Sequence, residues 1–257
     1  MLILSLESSA KPVSVAVYKL PDTTPDDVYK ISEATLDATH NTTPNATHNT
    51  DSSEKLLGQS FQNNGFSHSR TLLAMTEALL NNLEIKPADL GLIAVSKGPG
   101  SFTGVRIGVA AVKGLAWGLD IPVCGVSTLE AMAYQTRETG VIICPVMDAR
   151  REQVYNAVFE WRDGELVRLC DDRAISLEDL ASDLQSYDSP VLLIGDGVDV
   201  CKAHEAFANY RTAPELMRYQ TAYGVALAAV NKKTIPATEL EPFYLRPSQA
   251  ERERLKK

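Results

Sequence analysis

A chain of 257 residues, 44% of them apolar, has material for one large or two modest globular domains with a sizeable core. Its 33 acidic side chains outnumber 25 basic ones, a net charge of −8 that excludes a surface gathering nucleic acid by overall charge; RNA contact needs a local patch or a partner. No apolar run approaches the roughly 20 residues that span a bilayer, MLILSLESS holds no basic leader, and Cys124, Cys144, Cys170 and Cys201 lack CxxC or zinc spacing, so reduced thiols in a cytoplasmic protein are expected.

Residues 2–6 and 13–18 are short apolar or alternating runs around Ser-Ser-Ala-Lys-Pro, which predicts a hairpin of two strands with Glu7 at its bend. Between about 21 and 67 the composition turns to Thr, Asn and Asp, and residues 22–55 hold seven acids against Lys30 and Lys55. This reads as a polar insertion of little order, with His40 and His48 as solvated loop residues rather than metal ligands. From Ser67 an amphipathic helix is predicted: Leu72, Met75, Leu79 and Leu83 form one stripe and Pro87 lies beyond its end. A buried strand, Leu92 to Ser96, follows.

Residues 98–118, GPGSFTGVRIGVAAVKGLAWG, run from a Pro-Gly turn into a helix crowded with small side chains. Gly98, Gly100 and Gly104 suit positive φ or the close approach of another backbone, and Pro99 presets a tight turn. Gly104, Gly108, Ala111 and Gly118 share one helical face. Interior glycines cost roughly 1 kcal/mol each against alanine, so tight packing must offset the loss. The leucine stripe and this small-residue strip together suggest a helix pair with a docking face at Leu72, Met75, Leu79, Gly104, Gly108 and Ala111, packing within the domain being the plainer reading of most of these side chains.

The second half repeats the first in outline. Val141 to Val146 is an apolar run, Met147-Asp148-Ala149-Arg150 the turn, and Gln153 to Trp161 an alternating strand, with a further buried strand at Val191 to Ile194. Two related halves are therefore expected, 1–126 with the insertion and 127–245, before a charged tail at 246–257. Leu177 to Leu184 and Tyr219 to Asn231 read as helices, and Gly195-Asp196-Gly197 as a glycine turn.

GPGSFTG lacks the Gly-Lys-Ser/Thr ending of a phosphate loop, and its glycines miss the G-x-G-x-x-G spacing. What survives is an anion-friendly helix N-terminus at Ser101 and Thr103, where Arg106 opposes the helix dipole. Glu7 and Asp148, one bend in each half, could face each other across a groove and hold a hydrated divalent cation, with Gly195 and Gly197 beside them. On that reading the chain is an autonomous magnesium-dependent ATPase or small-molecule kinase. No lysine or glutamine completes a phosphoryl-transfer site, and no nucleophile elbow or His-Ser-Asp set can be drawn, so no catalytic residue is assigned.

The segments LILSLESS, HSRTLLAMTEALL, VSKGPGSFTGVRIGVAAVKGLAWG, PVCGVSTLEAMA, PVMDARREQVYNAVF, IGDG and FYLRP occur in the order found in the TsaB family, also called YeaZ, which the chain resembles outside 21–67 and the last ten residues. The resemblance implies an α/β fold of two lobes, of the actin and Hsp70 ATPase (ASKHA) type, each lobe ribonuclease-H-like. It implies a part in making N6-threonylcarbamoyladenosine (t6A) beside the tRNA anticodon. In that family the catalytic subunit is a paralogue, TsaD, which binds a metal through His-x-x-x-His; here Thr128 and Met132 stand at those positions, neither offering an imidazole. The implied role is a non-catalytic adaptor that pairs with TsaD, helps recruit the ATPase TsaE, forms a homodimer when alone, and meets tRNA only through the complex. A TsaC-type synthase supplies the intermediate. No metal or cofactor is expected, apart from residual ATP or ADP between the lobes or at the partner interface.

Overall fold

The computed structural model describes residues 1–21, 54–65, 67–230 and 232–246. The first half runs β1 (Leu2–Glu7), β2 (Val13–Lys19), β3 (Lys55–Gln62), α1 (His68–Asn82), β4 (Leu90–Ser96), α2 (Phe102–Leu119) and β5 (Val123–Val126). The second runs α3 (Thr128–Tyr134), β6 (Ile142–Asp148), β7 (Gln153–Arg162), β8 (Glu165–Ser176), α4 (Leu177–Leu184), β9 (Val191–Ile194), α5 (Val198–Lys202), β10 (Arg211–Thr212), α6 (Glu215–Arg218) and α7 (Ala222–Ala229).

The duplication expected from the sequence is present strand for strand. One sheet has the order β3-β2-β1-β4-β5 and the other, read in the same sense, β8-β7-β6-β9-β10. In each, three antiparallel strands are followed by two parallel to the first. The hairpins also match at their bends, where Glu7 pairs with Ser14 and Asp148 with Val154. β1 and β6 are apolar along nearly their whole length because each is central and covered on both faces.

β3 lies inside the stretch read as insertion. It was hidden because it is an edge strand, exposed or half-exposed along its length, so it carries no apolar run, although it pairs with β2 from Val13↔Gln62 to Lys19↔Lys55. The remainder of that insertion, including His40 and His48, lies outside the described residues, as does the tail beyond Arg246.

Helix starts follow short polar side chains. Ser101 accepts from the Gly104 N–H at 3.3 Å, Ser127 from Glu130, Ser176 from Asp179 and Thr221 from Gly224. α2 ends on Asp120, whose φ of 53° turns the chain out of the helix. The second-half helix is shorter than its apolar run, covering 222–229 rather than 219–231.

Among the described residues, four apolar clusters form the core. α1 and α2 cover one face of the first sheet around Leu6, Val15 and Ile93, and α4 and α5 cover one face of the second around Val146, Val158 and Leu193. The other two faces are covered by α7 and α3. α7, late in the chain, packs on the first sheet through Val225 and Leu227 against Ile3, Leu92 and Cys124. α3, at the start of the 127–245 half, packs on the second sheet through Leu129 and Met132 against Ile143 and Phe159. α3, which begins just past 126/127, thus covers the second sheet, and the chain returns to the first sheet with α7. Among the described residues, no helix is long and apolar enough to cross a membrane.

Candidate functional site

Where the two lobes meet, six segments converge on a cleft of about 990 Å³: the β1–β2 turn, the start of α1 at His68, the start of α2, the β6–β7 hairpin, the β9–α5 turn and residues 243–246. The glycine loop before α2 is the clasp that holds them together. The Ser101 N–H donates to the Ser9 carbonyl at 2.6 Å, the Thr128 N–H to the Gly98 carbonyl at 3.0 Å, and the Phe243 N–H to the Lys97 carbonyl at 2.6 Å. Gly98 has φ 119°, and a Cβ there would overlap the Phe243 carbonyl oxygen. At Gly100 a Cβ would overlap the Ser9 carbonyl oxygen, and at Gly104 that of Ser8. The close backbone approach inferred from these glycines is thus real, and its partners belong to the same chain.

The same observation corrects the docking face. Leu72, Met75 and Leu79 are buried in the core of the first lobe, and Gly104 and Gly108 are pressed onto the Ser8 carbonyl and hydroxyl. None of these five reaches the surface; Ala111 alone of that set is half-buried. The outward sides of the two helices instead carry Leu73 at 49% exposure and Trp117 at 86%, with Ala110 and Gly114 between turns of α2.

Glu7 does not face Asp148. Its side chain is wholly buried beneath the turn, where it accepts from the Ser9 N–H at 2.6 Å, the Ser9 hydroxyl at 2.5 Å and the Ser96 hydroxyl. Burial raises its pKa, and the Ser9 and Ser96 hydrogen bonds oppose the rise. Glu7 ties the β1–β2 turn to β4. Asp148 does line the cleft, with Oδ1 accepting from the Arg150 N–H at 2.7 Å. Gly195 and Gly197 brace the end of β6 from behind: a Cβ at Gly195 would overlap the Val146 carbonyl, and the Gly197 N–H donates to it at 3.0 Å.

Between those glycines sits Asp196, which reads from the sequence as no more than a turn residue. It lines the cleft, accepts from Gln220 Nε2 at 2.7 Å, and has its pKa raised to about 6, mainly by burial and further by Asp148. Ser101 and Thr103 are exposed at the start of α2 and line the cleft. Arg106 places its guanidinium carbon over the Phe102 ring, 3.9 Å from the centroid, and donates from Nε to the Tyr244 hydroxyl at 2.9 Å, so its place in the first turn is set by these aromatic contacts rather than by the helix dipole. Thr128 and Met132, both wholly buried, offer a hydroxyl and a thioether at the first and fifth positions of α3. Among the described residues no three His, Cys, Asp or Glu side chains are grouped to hold a metal ion. The cleft therefore offers hydrogen-bond donors, cations and two carboxylates, without a nucleophile paired to a base.

A family model described as "TsaD: tRNA N6-adenosine threonylcarbamoyltransferase" matches residues 55–251. The Bacillus subtilis (strain 168) tRNA threonylcarbamoyladenosine biosynthesis protein TsaB is 42% identical over 136 residues, which span 53% of this chain and 59% of that relative. Its counterpart of the same description in Haemophilus influenzae is 30% identical over 200 residues, 70% of this chain and 80% of that relative. Among solved structures, YeaZ from Pseudomonas aeruginosa superposes with a TM-score of 0.67 at 21% identity, covering 95% of this chain and 99% of that chain. That last likeness is one of fold.

Proposed function

Since this chain belongs to the TsaB (YeaZ) family, we propose that it serves in tRNA N6-threonylcarbamoyladenosine biosynthesis as a non-catalytic subunit that supports a TsaD-type threonylcarbamoyltransferase. The observation that carries the reading is Glu7. In an actin-like enzyme the first hairpin bend would present a carboxylate to the cleft, whereas here that carboxylate is buried and accepts from Ser9 and Ser96. The side chains of Thr128 and Met132, at the positions where the resemblance puts metal-binding histidines in the paralogue, support it further.

Partner docking belongs, on this reading, to the outward side of α1 and α2, at Leu73, Ala110, Ala111, Gly114 and Trp117. An indole 86% exposed beside exposed small residues is the kind of surface that a second helix pair covers. TsaE recruitment by the assembled pair, pairing of two copies of this chain through the same surface when TsaD is absent, and a cytoplasmic location complete the proposal. Light scattering on the chain mixed with its TsaD partner tests it. A 1:1 complex that Trp117→Glu prevents, with the variant's melting temperature unchanged, is the expected result; a variant that pairs as the wild type does would remove this surface from the proposal.

A further inference from the structure

The cleft gathers five cations from both lobes. Lys11 comes from the β1–β2 turn, Arg106 from α2, Arg150 and Arg151 from the β6–β7 turn, and Arg246 from the segment after Phe243. Among the described residues none of these five forms an ion pair, in a chain whose acids outnumber its bases by eight. Two carboxylates share the cleft, Asp148, which accepts from the Arg150 N–H, and Asp196, which accepts from Gln220, while Arg246 donates to the Ala149 carbonyl and to Gln153 Oε1 rather than to a carboxylate. Arg150 and Arg151 have φ of 63° and 57°, in the left-handed region that side chains other than glycine rarely adopt, so the turn that presents them is held against its own preference.

Aromatic rings accompany the cations. Phe102 and Tyr244 stack at 4.5 Å with Arg106 over Phe102, and Phe243, 40% exposed, lines the cleft and stacks on no ring among the described residues. Cations from both lobes without an ion-pair partner, together with a partly exposed aromatic ring in the same cleft, are the combination that tracks a phosphodiester backbone and stacks a base. A low-dielectric cleft focuses such a field, which the net charge of the whole chain conceals. The volume of about 990 Å³ is at the upper end of the roughly 300–1,000 Å³ of small-molecule pockets, with room for more than one nucleotide unit.

We propose that the interlobe cleft binds single-stranded RNA, with phosphates on Lys11, Arg106, Arg150, Arg151 and Arg246 and a base on Phe243. The choice of RNA among polyanions rests on the proposed part in tRNA modification; the anion site itself rests on the cleft.

The test is a fluorescence-polarisation titration of the full chain, without partners, against a labelled tRNA anticodon stem-loop over a series of salt concentrations. Arg150→Glu/Arg151→Glu is compared with Lys86→Glu/Lys233→Glu, which changes net charge equally at exposed positions outside the cleft. The cleft variant is expected to weaken binding at least about tenfold and to lower the slope of log K against log salt by about 1.4, about 0.7 for each single-strand phosphate that is no longer neutralised. Phe243→Ala is expected to weaken binding with the slope unchanged. Equal weakening by both double variants, or no RNA binding by the wild type, overturns the proposal. So does complete displacement of the RNA by excess ATP, which would make the cleft a mononucleotide pocket. Assaying t6A formation with the same variants separates the two readings. If the chain is required for modification but the cleft variant binds RNA normally, the RNA site fails and the functional proposal stands; if binding is lost on charge reversal but omission of the chain leaves modification intact, the reverse holds.

Discussion

Leu72 and Leu73 are adjacent in the sequence, yet truncation of each to alanine is expected to have opposite consequences. Leu72 is 1% exposed and packed in the cluster around Leu6, Val15 and Val105, whereas Leu73 is 49% exposed on the other side of α1. Leu72→Ala removes buried methyl groups and leaves a cavity, a loss of about 2.7–5 kcal/mol. At about 2–4 °C per kcal/mol for a protein of this size, the melting temperature should fall by on the order of 10 °C. Leu73→Ala removes side-chain surface that is already half in water and should stay within about 0.5 kcal/mol, or less than about 2 °C. Thermal melts of both variants, followed by titration with the TsaD partner well below either midpoint, separate stability from docking. Leu72→Ala should pair normally while folded, and Leu73→Ala should pair more weakly. Equal losses of stability, or a folded Leu72→Ala variant that alone fails to pair, would refute the assignment of α1's two faces.

Further substitutions follow from the same contacts. Gly104→Ala should destabilise strongly, because its Cβ would overlap the Ser8 carbonyl oxygen, a backbone atom held by the β1–β2 hairpin, whereas Gly114→Ala, with no atom within 4 Å, should stabilise α2 by up to about 1 kcal/mol; paired melts check the contrast. Asp196 has a folded pKa of about 6, above its unfolded value near 4, so its stabilising contribution is complete below pH 4 and is lost as pH rises through 6. Asp196→Asn, which keeps an acceptor for Gln220, should therefore raise stability at pH 7.5, by at most about 3 kcal/mol, and change it little at pH 4. Denaturant melts at the two pH values would reveal an equal gain at both if charge burial were not the cause.

Much of the architecture was legible because it is written in short-range patterns. The apolar runs at 2–6 and 141–146, each ending at an acidic bend and followed by a second strand, gave the duplication that the two sheets share. Gly98, Gly100 and Gly104 signalled a close backbone approach without naming its partner, which proved to be the Ser8–Ser9 turn and Phe243. The site was less legible because its parts are far apart in sequence. Lys11, Arg106, Arg150 and Arg246 come together only when both lobes fold, and no spacing announces them. Leu72 and Leu73 show a second limit: a helical stripe marks the buried side of α1 without saying whether core or partner buries it. Glu7 shows a third, since a carboxylate at a bend reads as exposed until Ser9 and Ser96 are seen to enclose it. The return of α7 to the first sheet was invisible for a related reason: helix periodicity gives a face and not the sheet it meets.

The central claim is that this chain supports threonylcarbamoyl transfer without performing it. Its most direct test is t6A formation on tRNA in a reconstituted mixture of TsaD, TsaE and the TsaC product, with this chain present, omitted, or supplied alone. The account predicts product only in the complete mixture, restored as well by Asp148→Ala as by the wild type. Product from the chain alone, or full yield in its absence, would contradict it.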